Sequence, residues 1–290
     1  MGTTTLVAAD TQSKADLHAA TVAGFADYLA GPFQMTLEQF PSFVARQGID
    51  LARSRVAMHE GAIGAFAYVC PRPEVGRWRL GVMAALPAAR GTGAAPALLD
   101  DFVERAHAES LPWVELECFA ENERALRLYR GRGFEVVSAL NGWKLPEGGD
   151  VRGSAGEVSA VGRESAGEVR AVDRKSALAW LADADHCIDW LPYPNSARCM
   201  AAQVRPLTFW RCGGAQAVFS VVEGTPTCVH SLVDLDPALG DAEVLARAVA
   251  AAHPDAFAPP ILRDELGGEA LRRAGFARHG MSQVLMKRKL

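Results

Sequence analysis

The chain has 290 residues, of which 49% are hydrophobic and 22% charged, enough for two domains with real cores in a soluble globular protein. Its 30 basic and 34 acidic residues leave a formal charge of -4, so neither nucleic acid nor an anionic membrane is an expected partner. No apolar run approaches the roughly 18 residues of a membrane span. The N-terminus MGTTTLVAADTQSKADLH lacks the basic and apolar regions of a secretory leader, so a cytoplasmic location is expected. Gly2 followed by threonines superficially suggests a myristoylation site, but no polybasic anchor accompanies it.

In chain order, Thr4 to Ala8 reads as a strand, and Ser13 as the cap of a helix reaching about Leu29, with Leu17, Ala20, Val22 and Phe25 near helical spacing. Thr36 to Gln39 has the capping-box pattern and opens a second helix. Strands follow over Ser54 to Met58 and Ala62 to Val69, joined by a tight turn at Glu60-Gly61, and another over Trp78 to Leu86. A helix from Thr92 to about Ala108, a strand from Trp113 to Phe119, a helix from Glu123 to Arg130 and a strand from Phe134 to Leu140 complete a β-α-α-β-β-β-α-β-α-β order. That order predicts an α/β (α+β) mixed-sheet domain over residues 1–147.

Residues 148–170 read as a flexible linker, built from small and polar residues with a near-duplication, RGSAGEVSAVG from Arg152 and RESAGEVRAVD from Arg163. Its end supplies a possible strand at Val169, Ala171 and Val172. Residues 171–290 then repeat part of the first order. A helix starts over Ser176 to Leu181, strands cover Ala217 to Val222 and Thr227 to Val233, and helices cover Ala242 to Ala252 and Gly268 to Arg273. A last strand lies near Val284 to Met286. ALRLYRGRGFE from Ala125 and EALRRAGFARH from Glu269 share a short basic helix, Gly-Phe and a strand, which reads as two copies of one fold. The six cysteines, Cys70, Cys118, Cys187, Cys199, Cys212 and Cys228, contain no C-x-x-C pair and no neighbouring histidine cluster, so reduced thiols and no metal are expected.

The most informative block is Leu86-Pro-Ala-Ala-Arg-Gly-Thr-Gly-Ala-Ala95, after a strand and at the start of a helix. Arg90, Gly91, Thr92, Gly93, Ala94 and Ala95 leave a run of backbone N–H groups uncovered by bulky side chains. Such a helix N-terminus suits a phosphate. The block is neither a P-loop nor a dinucleotide fingerprint. Downstream stand Asn122, Ala125, Leu128-Tyr129 and Gly133-Phe134.

Together these residues resemble the GNAT superfamily of N-acetyltransferases, whose Arg/Gln-x-x-Gly-x-Gly/Ala motif is filled by Arg90, Gly93 and Ala95. Asn122, Ala125, Leu128, Tyr129, Gly133 and Phe134 fill the family's Asn-x-x-Ala-x-x-Leu-Tyr-x-x-x-Gly-Phe. The resemblance implies acetyl-CoA as co-substrate and acetyl transfer to a primary amine by direct attack on the thioester. It places the diphosphate on Arg90 to Ala95 and the pantetheine arm between the strand ending near Ala85 and the strand around Glu117. A bulge around Val82 to Ala85, with Met83, Ala84 and Ala85 against the cofactor, would present a backbone N–H to the thioester carbonyl. Such a donor is worth roughly 3 kcal/mol. Tyr129 is the implied general acid, and Asn122 would bond cofactor or backbone or cap its helix. Glu115 and Glu117 share one face of their strand, so either could be the base, or both could simply pair with arginine or face solvent. A base carried by the preceding strand in some relatives is absent here.

In the second half, the segment matching the cofactor loop is Leu235-Asp-Pro-Ala-Leu-Gly-Asp-Ala-Glu243, which lacks the arginine and the glycine pattern and carries Asp241 and Glu243 in the first helical turn. A tandem protein with a degenerate second copy is therefore expected. Trp180, His186, Trp190, Tyr193 and Trp210 could wall an acceptor pocket, and His230 and His59 could be pocket groups; all have an ordinary packing reading as well. The alternative functions are an acyl-CoA sensor or scaffold without turnover and a structural pseudo-dimer without cofactor. The acceptor amine, small or peptidic, and the choice between monomer and homodimer stay open.

Overall fold

Ser13 accepts a hydrogen bond from the Asp16 amide and starts α1 (Lys14–Gly24), which follows the short strand β1 (Thr5–Ala8). The helix stops at Gly24 rather than near Leu29. A Cβ there would sit 2.9 Å from the Ala84 Cβ, so the helix end lies directly on the sheet, and Phe25 turns its ring edge-on to Phe66 at 6.2 Å. Thr36 and Gln39 form the expected capping box and lead into α2 (Phe40–Gln47). Strands β2 (Asp50–His59) and β3 (Ala62–Arg72) make a hairpin whose turn residues have positive φ, 50° at Glu60 and 81° at Gly61, as a two-residue hairpin turn requires. There follow β4 (Arg77–Ala85), α3 (Ala94–Ala108), β5 (Trp113–Phe119), α4 (Glu123–Arg130) and β6 (Glu135–Lys144).

The structure is a computed structural model that describes residues 5–146 and 167–290. The described residues fall into two compact units, one within Met1–Val137 plus Val284–Leu290 and the other within Ser138–Gln283. In the first unit the strands run β1-β2-β3-β4-β5, and the chain's last strand, residues 283–289, lies next to β5. On one face Leu98, Leu99 and Phe102 of α3 pack on Leu80, Val114 and Leu116, with Met286 from that last strand completing the layer. On the other, Leu17, Phe40 and Phe43 pack on Val56, Phe66 and Tyr68. Each such buried side chain contributes about 1.5–3 kcal/mol.

The second unit receives most of β6 and then holds β7 (Arg170–Ala171), α5 (Arg174–Cys187), α6 (Ala197–Ala201), β8 (Thr208–Cys212), β9 (Ala215–Ser220) and β10 (Cys228–Asp234). It continues through α7 (Gly240–Ala252), β11 (Phe257–Arg263), α8 (Glu269–Arg273) and β12 (Ala277–Arg278) to the start of the last strand, β13 (Gln283–Lys289). Its strand order is β6-β11-β10-β9-β8-β7, with β12 on β6. Residues 138–144, expected in a first domain ending at 147, thus stand in the second unit, and 284–290, expected in the second domain, stand in the first. Trp143 and Met286 are the buried residues that fill the cores their strands enter.

The expected linker lies outside the described residues as far as residue 166, and Arg170 and Ala171 make the short strand. All six cysteines are free thiols. Among the described residues, no helix is long and apolar enough to cross a membrane.

Candidate active site

The site is built on a parallel strand pair that comes apart. β4 and β5 are in register from Arg77 opposite Trp113 to Leu80 opposite Leu116, and among the described residues the ladder ends there, although β4 runs on to Ala85 and β5 to Phe119. The cause is Gly81. Tyr68 of β3 faces Val82 while its neighbour Val69 faces Leu80, so Gly81 is an extra residue, a bulge that bends β4 away from β5. The bulge stands one residue before the expected 82–85 stretch. It also resets the alternation. Trp78 and Leu80 before it, and Met83 and Ala85 after it, belong to the α3 side of the sheet, whereas Val82 and Ala84 turn to the α1 side. Residues 82–85 keep their β3 partners and present their other backbone edge to a wedge between the strands.

At the open end of the wedge, Leu86 leads through a short 3-10 turn, Pro87–Ala89, into the glycine loop. Gly91 and Gly93 have φ of 82° and 92°, and a Cβ on either would meet nothing within 4 Å. The backbone there is left-handed and the space in front of it is open, which is what a close-approaching anion needs. Gly93 caps α3 with no side chain, so the first-turn amides have neither an intrahelical nor a capping partner. Pro96 at the third helical position removes a donor that would be free anyway. Thr92 is turned away from the loop, its hydroxyl donating to the Ala89 carbonyl at 2.7 Å. Arg90 donates through Nε to the Ala85 carbonyl at 3.2 Å and forks onto Asp27.

The other arm of the wedge ends in α4. Asn122 caps it, Oδ1 accepting from the Ala125 amide at 3.1 Å, which is the capping role the sequence allowed. Tyr129 lies on the buried face of α4 at 7% exposure, its ring 5.9 Å from Phe134. Burial, with Cys118 and Tyr28 close by, pushes its hydroxyl far above the ordinary phenol range. Burial likewise raises the Cys118 thiol to about 12 and the Tyr28 hydroxyl to about 12, the latter opposed by a hydrogen bond with the Asn122 side chain. A neutral phenol, a neutral thiol and a second neutral phenol therefore meet where the wedge opens.

The two candidate bases have different surroundings. Glu115 is fully enclosed, with Oε1 accepting from Arg72 Nη1 at 2.6 Å and Oε2 lying 3.3 Å from Arg77 Nη1. It has no face for a substrate, and the expectation of a base there is corrected to a structural ion pair. Glu117 accepts from Arg79 Nε through Oε2 at 2.6 Å, with Arg79 also reaching Gln47 of α2. Its Oε1 is buried and has no hydrogen-bond partner. Glu117 stands beyond the last β4–β5 pair, on the α1 side of the wedge.

Sequence reasoning missed Gly81, Arg79, Asp27 and Tyr28. An isolated glycine inside a strand is itself a bulge signal and could have located Gly81. Asp27 and Tyr28 were hidden because helical spacing carried α1 past them.

The matching features of the second unit are arranged differently. The N-terminus of α7 is filled from within: Asp234 accepts from the Ala242 and Asp236 amides at 2.9 Å, and Asp241 accepts from the Gly214 amide at 2.8 Å. Desolvation raises the Asp234 carboxyl. Trp210 packs edge-on to Phe219 at 4.9 Å, Trp180 lies under Arg211, and Tyr193 is buried within this unit. Trp190 has a φ of 64°, and the His186 ring bonds the Ala182 carbonyl. His230 bonds Ser220 through Nε2 at 2.8 Å. His59 ends β2 in the first unit, against Gly64.

With this geometry in view, residues 24–134 match the acetyltransferase (GNAT) family. The whole chain shares its fold with solved GCN5-related N-acetyltransferases. That from Sphaerobacter thermophilus is 16% identical, with 99% of this chain and 95% of that chain covered and a TM-score of 0.60. That from Anabaena variabilis is 14% identical, with 98% and 72% covered and a TM-score of 0.64. That from Kribbella flavida is 17% identical, with 99% and 71% covered and a TM-score of 0.59. No curated protein matches the chain.

Proposed function

We propose that this chain, which carries a GNAT acetyltransferase domain in residues 24–134, transfers an acetyl group from acetyl-CoA to a primary amine at the β4–β5 wedge. The observation that carries the reading is the alignment of three features along one path: the uncovered amides of Gly91, Gly93, Ala94 and Ala95, the edge of residues 82–85 that has no partner on β5, and the buried phenol of Tyr129. Open space in front of Gly91 and Gly93 fits a diphosphate, and a bare strand edge fits the amide-bearing pantetheine arm. Acetyl-CoA, when bound, supplies the activated thioester carbonyl.

The chain's own residues supply the rest. The loop amides neutralise and orient the diphosphate, with Met83, Ala84 and Ala85 lining the arm. A backbone N–H of the bulged segment stands ready for developing negative charge on the carbonyl oxygen. Glu117, through its unpartnered Oε1, holds the acceptor ammonium and takes its proton, directly or through water. Tyr129, kept protonated by burial, delivers a proton at the sulfur. A carboxylate as the receiving group favours a cationic amine acceptor. The second unit is, on this reading, a copy of the same fold that has lost the cofactor site, since Asp234 already takes the Asp236 and Ala242 amides and Asp241 adds a carboxylate to the first turn of α7, where a diphosphate would be repelled.

The test is thiol release from acetyl-CoA against a panel of small amines, amino acids and peptide N-termini. Amine-dependent release supports the transferase. Saturable binding of acetyl-CoA without release by any amine would instead mean a sensor. Glu117→Gln is expected to lower kcat/KM for the amine by about 10²- to 10³-fold, with the acetyl-CoA dissociation constant held within about twofold. A loss smaller than about twofold in kcat/KM would remove Glu117 from the proton path.

A further inference from the structure

The segment after α1 reaches both arms of the wedge. Asp27 binds the guanidinium of Arg90 in a fork, Oδ2 to Nη1 at 2.5 Å and Oδ1 to Nη2 at 2.6 Å. The next residue, Tyr28, reaches the β5 arm, with its ring 5.7 Å from Phe119. Two neighbouring residues of one loop are thus fastened to the end of β4 and to the end of β5.

The fork matters because of what Arg90 is beside. A bidentate arginine–carboxylate pair has the same geometry as an arginine–phosphate pair, two parallel N–H groups meeting two oxygens. Arg90 is the first residue of the glycine loop, and its Nε donates to the Ala85 carbonyl. Its side chain is 30% exposed and that of Asp27 is 59% exposed, so the pair is open to water and to an incoming ion. An exposed pair of this kind is weak and screened by salt. A diphosphate carries more charge than one carboxylate and gains the loop amides at the same time.

We infer that Asp27 is an internal stand-in for phosphate: its carboxylate holds the Arg90 guanidinium until acyl-CoA arrives, and the diphosphate binds by displacing it. The inference rests on the proposed cofactor site. It makes Asp27 an affinity-setting residue for the cofactor.

The experiment is calorimetric titration of acetyl-CoA into the full chain at low ionic strength, for wild type, Asp27→Asn, Arg90→Gln and the double variant. Asp27→Asn is expected to tighten acetyl-CoA about three- to fivefold, because the competitor is gone. The gain should vanish in the Arg90→Gln background and shrink at high salt. Asp27→Ser serves as a second replacement of the same charge. Unchanged or weaker binding in both Asp27 variants would overturn the inference, as would an equal gain in the Arg90→Gln background, which would mark a general charge effect. If wild type itself shows no binding, the cofactor assignment fails instead, so the two failures are separable.

Discussion

Tyr129→Phe is expected to lower kcat for acetyl transfer by at least about 10²-fold while leaving the acetyl-CoA dissociation constant within about twofold. The ring stays and only the hydroxyl goes, so packing against Phe134 and the α4 face is preserved. A positioned general acid is worth about 10²- to 10⁴-fold, and the effect belongs in kcat because the proton is needed only as the thiolate leaves. Burial holds the phenol protonated well beyond neutral pH, so its ionisation should leave no alkaline limb in the rate below about pH 10. Equal turnover by wild type and Tyr129→Phe would assign the tyrosine to packing alone.

Glu115→Ala should produce the largest loss of stability among single changes around the site, about 3–5 kcal/mol. Arg72 and Glu115 both have fully buried side chains, and removing the carboxylate takes away the group that lies 2.6 Å from Arg72 Nη1 and 3.3 Å from Arg77 Nη1. A buried guanidinium stripped of its main counter-charge costs far more than the original pair contributes, because the desolvation cost stays while the attraction goes. Urea denaturation followed by tryptophan fluorescence would read this as a lower midpoint. A change under about 1 kcal/mol would show that Arg72 finds another partner or water, and that the ion pair is not a structural brace.

Much of the first unit was legible because its signals are local. Ser13, the Thr36–Gln39 box and Glu60-Gly61 each specify a turn or a cap through their own backbone chemistry, and the structure places all three as read. The β5 strand and α4 helix begin and end where their alternation and helical spacing put them. The glycine loop was legible as a turn that needs positive φ at two glycines before a helix, and both glycines have it. What stayed hidden depends on distant partners. Nothing in VELEC distinguishes Glu115, whose two oxygens lie within ion-pair distance of Arg72 and Arg77, from Glu117, which meets Arg79 through Oε2; only the tertiary arrangement of the three arginines does. The Asp27–Arg90 fork joins residues far apart in the chain. The strand β11 was missed because Pro259 and Pro260 argue against a central strand, yet it pairs with β6 and β10 with a break in register between Ala258 and Leu262. The passage of β6 and β13 into opposite units was equally invisible, since alternation tells a strand which face to bury and not which sheet to join.

The most direct measurement is calorimetric titration of acetyl-CoA into the purified full chain, made at two temperatures so that a vanishing enthalpy cannot hide binding. A diphosphate gripped by the amides after Arg90 predicts saturable binding of about one equivalent per chain, with the second unit contributing none. No heat at either temperature with acetyl-CoA or any other coenzyme A derivative would contradict the cofactor site and everything derived from it.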